Sequence, residues 1–247
     1  MASTDLEKCN RHIPGTTARF VFGGGSNIIG NPAATGDPAA VIDDDHPAGY
    51  SMPAGCTIYL GDTTPVTVYP ANQFGPVVGF LDELINVMGF ADPVEVIIVG
   101  EPGSTAASWR ATQVATSDTI QATVGKALAY FFLTGAADSD GTEAEALDFE
   151  PSCLLTVARM RRILGHGTAV TLARLSTFDP LIEFAHTAIV QAEMDSLVEH
   201  TQGMMILETA GRDIGSDSHF LGTVNGMIQI GRDLARQWVE QQIVSVT

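Results

Sequence analysis

Apolar residues recur at helical spacing in residues 77–88, and Asp179 with Pro180 predicts the start of a helix through about residue 200. Helical spacing is also found in a last stretch, roughly residues 219–242. The last stretch carries an apolar stripe in which Gly231 and Ala235 are small. Because small side chains let two helices approach closely, this stripe predicts a tight contact with another helix.

Continuous or alternating apolar runs, which are typical of strands, are fewer in this sequence than the helical patterns. VEVIIVG, residues 94–100, is a largely apolar run bounded by Pro93 and Gly100, which is typical of a buried strand. Residues 118–133 are predicted to be helical, because Asp118 is a good N-cap and apolar residues follow at helical spacing. Before residue 73 the apolar pieces are short, and turns rich in glycine and proline separate them.

The pattern as a whole predicts an α+β chain in two parts. Residues 1–72 are expected to form a β-rich or extended N-terminal arm, or a small subdomain. Residues 73–247 are expected to form a mainly helical body with one buried strand near residues 94–100. The arm cannot bury much surface by itself, so it is expected to lie on the body or on a neighbouring copy.

Composition adds an expectation of self-association. Charged residues make up 17 % of the chain, against about 25 % in typical globular proteins. A poorly charged surface is often covered by other copies of the same chain. The net charge of -17 argues against indiscriminate coating of nucleic acid or of an anionic membrane.

The expected cellular location of the protein is inferred from features that the sequence lacks. The longest apolar run, which begins at Ala127, is far shorter than a membrane span. The N-terminus has no pattern of a secretory signal, and the three cysteines form no paired motif. A virion or the cytoplasm is therefore the expected location.

The stretch LLTVARMRRILGHGTAVTLARL, residues 154–175, is basic in an otherwise acidic chain. Helical spacing places Arg159, Arg162 and His166 on one face, and Arg174 follows. Arginine binds phosphates bidentately, so a local groove for nucleic acid is one interpretation. The six carboxylates of residues 135–150, predicted to be a loop, offer a protein partner within the chain or in a neighbouring copy.

Motifs that would identify a reaction are absent. GGGSNIIG has the wrong spacing for a phosphate-binding loop and is interpreted as a flexible turn. GEPGST follows the strand predicted at residues 94–100, a position where α/β folds often bind ligands, although an ordinary turn is the competing interpretation. A Ser–His or Cys–His pair would have to form in space, with Cys153 near a helix start as one candidate.

A metal site is considered at Glu183 and His186. Their E-x-x-H spacing is that of carboxylate-bridged di-iron sites, but such sites need a second E-x-x-H on a facing helix. Since the chain offers no second copy of the motif, we assign no metal, no cofactor and no catalytic residue from the sequence.

These features favour a self-assembling structural protein, such as a viral or phage coat or nucleocapsid subunit. In that interpretation the arm docks on a neighbour, and the arginines face packaged nucleic acid or the acidic residues 135–150 of the next copy. The alternative is an oligomeric enzyme that depends on a metal or a small molecule and uses the GEPGST turn or the Glu183–His186 pair.

Overall fold

Buried runs of β-branched and aromatic residues form one large sheet in the computed structural model. The model describes residues 12–29, 50–51, 53–60, 65–66, 68–69, 75–111, 126–175, 184–213, 220 and 224–244. The described strands are β1 Ala18–Gly24, β2 Tyr50–Ser51, β3 Cys56–Leu60, β4 Pro65–Val66, β5 Val68–Tyr69, β6 Val94–Gly100, β7 Ala129–Leu133, β8 Ala169–Ala173 and β9 Met204–Leu207.

Six strands of the large sheet run parallel. The sheet order is β4-β3-β6-β1-β7-β8-β9, and only β4 is antiparallel to its neighbour. β2 and β5 pair separately as a short antiparallel ribbon. Parallel strands need crossover connections, which put helices on the faces of the sheet.

The described helices follow or precede these strands along the chain. They are α1 Ser26–Ile29, α2 Val77–Leu81, α3 Ala136–Asp140, α4 Glu143–Leu147, α5 Phe149–Leu164, α6 Thr187–His200 and α7 Gln229–Val244. A π-helical turn, Asp82–Val87, extends α2, and another, Val224–Ile228, precedes α7. A further helical segment covers residues 106–111.

Helices α2 and α7 cover one face of the sheet. Phe20 and Phe22 of β1 point to this face and contact Phe80 of α2, edge to face. The two helices approach each other at glycines: a Cβ on Gly79 would lie 2.0 Å from a backbone oxygen of the π-helical turn before α7, and one on Gly231 would lie 1.9 Å from a backbone oxygen before α2. The close contact predicted from the small-residue stripe is confirmed.

Helices α5 and α6 and the segment 106–111 cover the other face. Their buried side chains include Val157, Met160, Met194 and Trp109, which pack against alternate residues of the same strands, such as Val21. The sheet is therefore buried on both sides, which explains why its central strands are apolar at most positions on both faces.

The prediction of an N-terminal arm followed by a helical body is wrong. β1, which precedes residue 73, lies in the middle of the sheet and pairs with β6 and β7. The architecture is instead α/β, with a six-stranded parallel sheet between helices. Each early apolar piece is too short to show that it buries both faces, and its partner strands come much later in the chain.

Two local predictions also need correction. Ala129–Leu133, predicted to end a helix, is strand β7, and residues 112–125 lie outside the described residues. A short apolar run does not distinguish a buried strand from a buried helix by its periodicity. The acidic residues 135–150 form helices, not a loop, and a capping box between Thr142 and Glu145 starts one of them.

Other elements lie where the sequence predicts them. β6 covers Val94–Gly100, and α5, the arginine-containing helix, ends at Leu164 before a glycine. α6 ends at His200, as predicted, but it begins at Thr187. Residues 184–186 precede it as a turn, so the continuous helix predicted over residues 179–200 is wrong at this point, and residues 176–183 lie outside the described part. These elements carry long or sharply bounded apolar patterns.

Candidate functional site

The carboxyl ends of β1, β6 and β7 are aligned at one edge of the sheet. Gly24, the last residue of β1, is in register with Gly100 of β6 and with Leu133 of β7. Therefore the residues that follow the three strands lie side by side. The chain leaves β1 for strands on one side of it and leaves β7 for strands on the other, and such a reversal of strand order is where open α/β sheets bind ligands.

The turn after β1 is tightly bound to both neighbouring strands. Gly24 has a φ of 139°, and a Cβ there would lie 1.9 Å from the backbone oxygen of Leu133, so only glycine fits. The Gly25 amide donates to that oxygen at 2.9 Å, and the Glu101 amide donates to the Gly24 oxygen at 3.0 Å. Ser26 follows immediately and begins α1. The turn thus holds a serine at a sharp strand-to-helix junction, a position used to expose nucleophiles.

The turn after β6 is built around the backbone oxygen of Glu101. It accepts hydrogen bonds from the Ser104 amide at 3.2 Å and from the Ser104 hydroxyl at 2.7 Å. Gly103 has a φ of 71°, which favours glycine at this point of the turn. Glu101 Oε2 is buried and has no hydrogen-bond partner among the described residues. Glu101, which follows the strand next to the serine turn, therefore has an unsatisfied hydrogen-bond acceptor.

The segment after β7 supplies a hydroxyl and a buried carboxyl group. Thr134 is buried, and within the described part of the chain its Oγ1 finds no partner. Asp138 Oδ1 accepts a hydrogen bond from the Ala106 amide at 2.9 Å and so ties the β6 turn to α3. Burial raises the pKa of Asp138 to about 6, since the charged form is poorly solvated there.

A long-range hydrogen bond joins the serine turn to the last part of the chain. Asn27 is buried, and its Oδ1 accepts from the Phe220 amide at 3.1 Å. Residues 214–219, which directly precede Phe220, lie outside the described residues. Before that gap, the Asp213 amide donates to the Asn225 backbone oxygen at 3.3 Å. Hydrogen bonds thus hold the described residues on either side of residues 214–219.

The arginine stretch lies elsewhere. Arg162 is exposed near the end of α5, and Arg159 is half-buried. His166, predicted on the same helical face, is exposed in the turn that follows Leu164, because the helix ends before the glycine at residue 165. Arg174 pairs with Asp195 and with Glu208, the latter at 2.9 Å, and the hydrogen bond to Asp195 is the main reason that the pKa of Arg174 is raised.

Arg174 therefore has carboxylate partners within its own chain. The assignment of Arg159, Arg162 and His166 to nucleic acid or to a neighbouring copy stays a prediction, as does self-association.

Other candidate groups do not assemble into a second site. Cys153 is fully buried, and desolvation raises the pKa of its thiol well above the usual value, which opposes thiolate formation. Glu183 lies outside the described residues, and the His186 amide donates to the Ser139 oxygen at 3.1 Å. No group of three or more potential metal ligands occurs in the described ranges, and no helix there is long and apolar enough to span a membrane.

Sequence reasoning missed Ser26, Glu101 and Thr134 as members of one site. The available signal was a repeated pattern: GGGSN and GEPGST each follow an apolar strand with small residues and a polar side chain. Interpreting GGGSN as a flexible turn ignored the possibility that ARFVF before it is a central strand.

Comparisons with known proteins identify the fold. Neither a family model nor a curated protein sequence matches the chain. A solved structure of a protein from Arabidopsis thaliana matches with a TM-score of 0.71 and 14 % identity, covering 92 % of this chain and 99 % of that one. The fold is SGNH-like.

Two further matching structures carry functional names. A carbohydrate acetylesterase from Xanthomonas citri matches with a TM-score of 0.64 and 12 % identity, covering 88 % of this chain and 55 % of that one. A carbohydrate esterase family 3 protein from Talaromyces cellulolyticus matches with a TM-score of 0.59 and 11 % identity, covering 92 % of this chain and 99 % of that one.

The prediction of a coat or nucleocapsid subunit is wrong. It rested on an extended arm and a helical body, and the chain instead has an α/β fold shared with named carbohydrate esterases.

Proposed function

We propose that this protein is a serine ester hydrolase that acts on acylated carbohydrates, with Ser26 as its nucleophile. The observation that carries the proposal is the position of Ser26 at the strand-to-helix turn of the central strand, beside the ends of β6 and β7. This is the crevice where an open α/β sheet holds its ligand.

His219 is the general base in this proposal. It directly precedes Phe220, whose amide is bonded to Asn27, and Asn27 directly follows Ser26. The proposal for His219 thus rests on its place in the sequence, one residue before Phe220. Asp217, two residues before the histidine, is the carboxylate that would orient it. His219 and Asp217 lie outside the described residues, and their proposed roles rest on these places in the sequence.

The reaction would proceed through an acyl-enzyme. The Ser26 hydroxyl attacks the ester carbonyl carbon while His219 takes its proton. The tetrahedral intermediate then collapses, and the alcohol leaves with the proton from His219. Water, deprotonated by the same histidine, attacks the acyl group, and the carboxylic acid leaves as Ser26 recovers its proton.

Stabilisation of the oxyanion is assigned to the β7 side of the turn. Thr134 offers a hydroxyl that no described residue engages, and the start of α1 offers backbone amides. A hydroxyl donor held in a buried position stabilises developing negative charge more strongly than water does.

The carbohydrate part of the proposal draws on the names of the matching structures. Two of them are carbohydrate esterases, and the chain covers nearly the full length of one. The net charge of -17 is also unfavourable for polyanionic substrates and favours neutral ones.

Ester hydrolysis by the purified full chain tests the proposal. We expect the wild type to hydrolyse 4-nitrophenyl acetate and acetylated sugars, and Ser26→Ala to lower kcat/KM at least about a thousandfold without changing the unfolding midpoint. A fluorophosphonate probe should add one covalent label, which peptide mass spectrometry places on Ser26. The control Ser196→Ala, in α6, should behave like the wild type. A wild type inactive on every ester, or full activity of Ser26→Ala, would contradict the proposal.

A further inference from the structure

Glu101 combines a fixed backbone with an unused carboxylate oxygen. Its amide is bound to Gly24 and its backbone oxygen to Ser104, so three hydrogen bonds hold its main chain in place. Its Oε2 is buried and finds no donor among the described residues. Buried carboxylate oxygens normally accept hydrogen bonds, because an unsatisfied one has lost its hydration without gaining a partner.

The backbone of Glu101 lies beside the serine turn of the candidate active site. Because Gly24 is in register with Gly100, Glu101 lies beside Gly25, one residue before Ser26. A Cβ on Gly25 would have its nearest neighbour at 4.0 Å, so there is room next to the turn. Thr134 lies on the opposite side of the same turn, after β7.

The two sides of the serine turn suit different groups of a substrate: the β7 side suits an oxyanion, and the β6 side suits a hydrogen-bond donor. A hydroxyl such as that of Thr134 donates to an oxyanion, whereas a carboxylate such as that of Glu101 repels it. The carbonyl oxygen of a bound ester therefore belongs on the β7 side. The alcohol portion of the ester then extends toward β6, where Glu101 is available as an acceptor.

We propose that Glu101 binds free hydroxyl groups on the alcohol portion of the substrate and thereby selects esters of polyhydroxylated alcohols over esters of simple alcohols or phenols. This inference rests on the proposed function and assigns a specificity-determining residue to it. A carboxylate is suited to the role because a hydrogen bond from a hydroxyl to a charged acceptor is about twice as strong as a neutral one.

Comparison of two substrate types with Glu101 variants tests this inference. The substrates are monoacetylated methyl glucopyranosides, which keep free hydroxyls, and 4-nitrophenyl acetate, whose alcohol portion has none. We expect Glu101→Ala to lower kcat/KM for the sugar esters about 10- to 100-fold and to change that for 4-nitrophenyl acetate less than about threefold. Glu101→Gln should lose less, since its amide oxygen still accepts a hydrogen bond.

Matched controls separate binding from stability. Glu143→Gln makes the same charge change at an exposed position of α4 and should leave both substrates unaffected. The unfolding midpoint of Glu101→Ala should equal or exceed that of the wild type, because the variant removes an unsatisfied buried acceptor.

Three outcomes would overturn the inference. Glu101 variants with unchanged activity on sugar esters would show that the carboxylate binds no hydroxyl there. An equal loss on both substrates would assign a structural role, and an equal loss with a shifted pH–rate profile would mean that Glu101 orients the general base. A wild type that hydrolyses no ester would instead contradict the proposed function itself.

Discussion

The edge of the sheet after β1, β6 and β7 differs from the interface between α2 and α7 in how its buried polar groups are satisfied. At the interface, buried Asp82 accepts from Arg232 at 2.8 Å, and buried Glu83 accepts from Arg236 at 2.7 Å. At the edge, Oε2 of Glu101 has no partner in the described part of the chain. Both regions contain buried acidic residues, but only the interface neutralises them internally.

This difference distinguishes a stabilising region from the candidate ligand-binding edge. A buried carboxylate paired with arginine holds two elements in one geometry, and breaking the pair leaves a costly buried charge. An unpaired polar group costs stability in the free protein and becomes useful only when a ligand supplies the missing partner. The comparison predicts that changes at the interface alter stability, whereas changes at the edge alter activity.

The largest stability effect is expected at the glycine contact between α2 and α7. Gly231→Ala should destabilise the protein by about 4 kcal/mol, because the new Cβ would lie 1.9 Å from the Pro76 backbone oxygen. In an open helix the same change would stabilise by up to about 1 kcal/mol, so the sign is diagnostic.

Urea unfolding would measure the Gly231→Ala effect, with Glu240→Ala at an exposed position of α7 as control. Ester hydrolysis per folded molecule should be unchanged. A stabilised Gly231→Ala variant would refute the close contact.

A pH-dependent effect is expected at Asp138, which connects the β6 turn to α3. Burial, assisted by the charges of Glu145 and Asp148, raises its pKa from 3.8 to about 6, although hydrogen bonds from backbone amides lower it in part. The folded protein therefore holds this proton more tightly than the unfolded chain. The stability from this group is present below about pH 4 and is lost as the pH rises to about 6, by about 3 kcal/mol.

Asp138→Asn should remove this loss of stability with rising pH, while its side-chain oxygen still accepts the hydrogen bond from the Ala106 amide. The free energy of unfolding, measured from pH 4 to pH 7, should fall less steeply in Asp138→Asn than in the wild type. Asp140→Asn, at an exposed neighbouring position, is the control and should keep the wild-type slope. If the free energy of unfolding fell equally steeply with pH in all three proteins, the assignment of this pH dependence to Asp138 would be contradicted.

The smallest effect is expected for the ion pair between Asp82 and Arg232. Arg232→Met should cost only about 1 kcal/mol, less than the loss of a fully buried pair, since Asp82 keeps a hydrogen bond from Asn86 and the Arg232 side chain is 23 % exposed. Combining it with Asp82→Asn should recover most of the loss in a double-mutant cycle. If Arg232→Met lowered kcat/KM while stability stayed constant, the separation between the two regions would fail.

Whether the sequence predicts an element correctly depends on how long or how sharply bounded the apolar pattern of that element is. α5 and α7 carry amphipathic stripes over four turns, and β6 is bounded by proline and glycine, so their sequences identify them. β1 and β7 are five to seven residues long and apolar on both faces, which is compatible with either element type. The candidate site follows those two strands and was missed with them.

The sequence by itself determined the strongest helices, the buried strand β6 and the small-residue contact at Gly231. It also showed Ser26 after a glycine run and Glu101 after a strand, without relating them. Only the tertiary structure decided that β1 lies between β6 and β7, which brings Ser26, Glu101 and Thr134 to one edge. The physical reason is that hydrogen bonds between parallel strands join segments far apart in the chain, and no local pattern encodes which strands will pair.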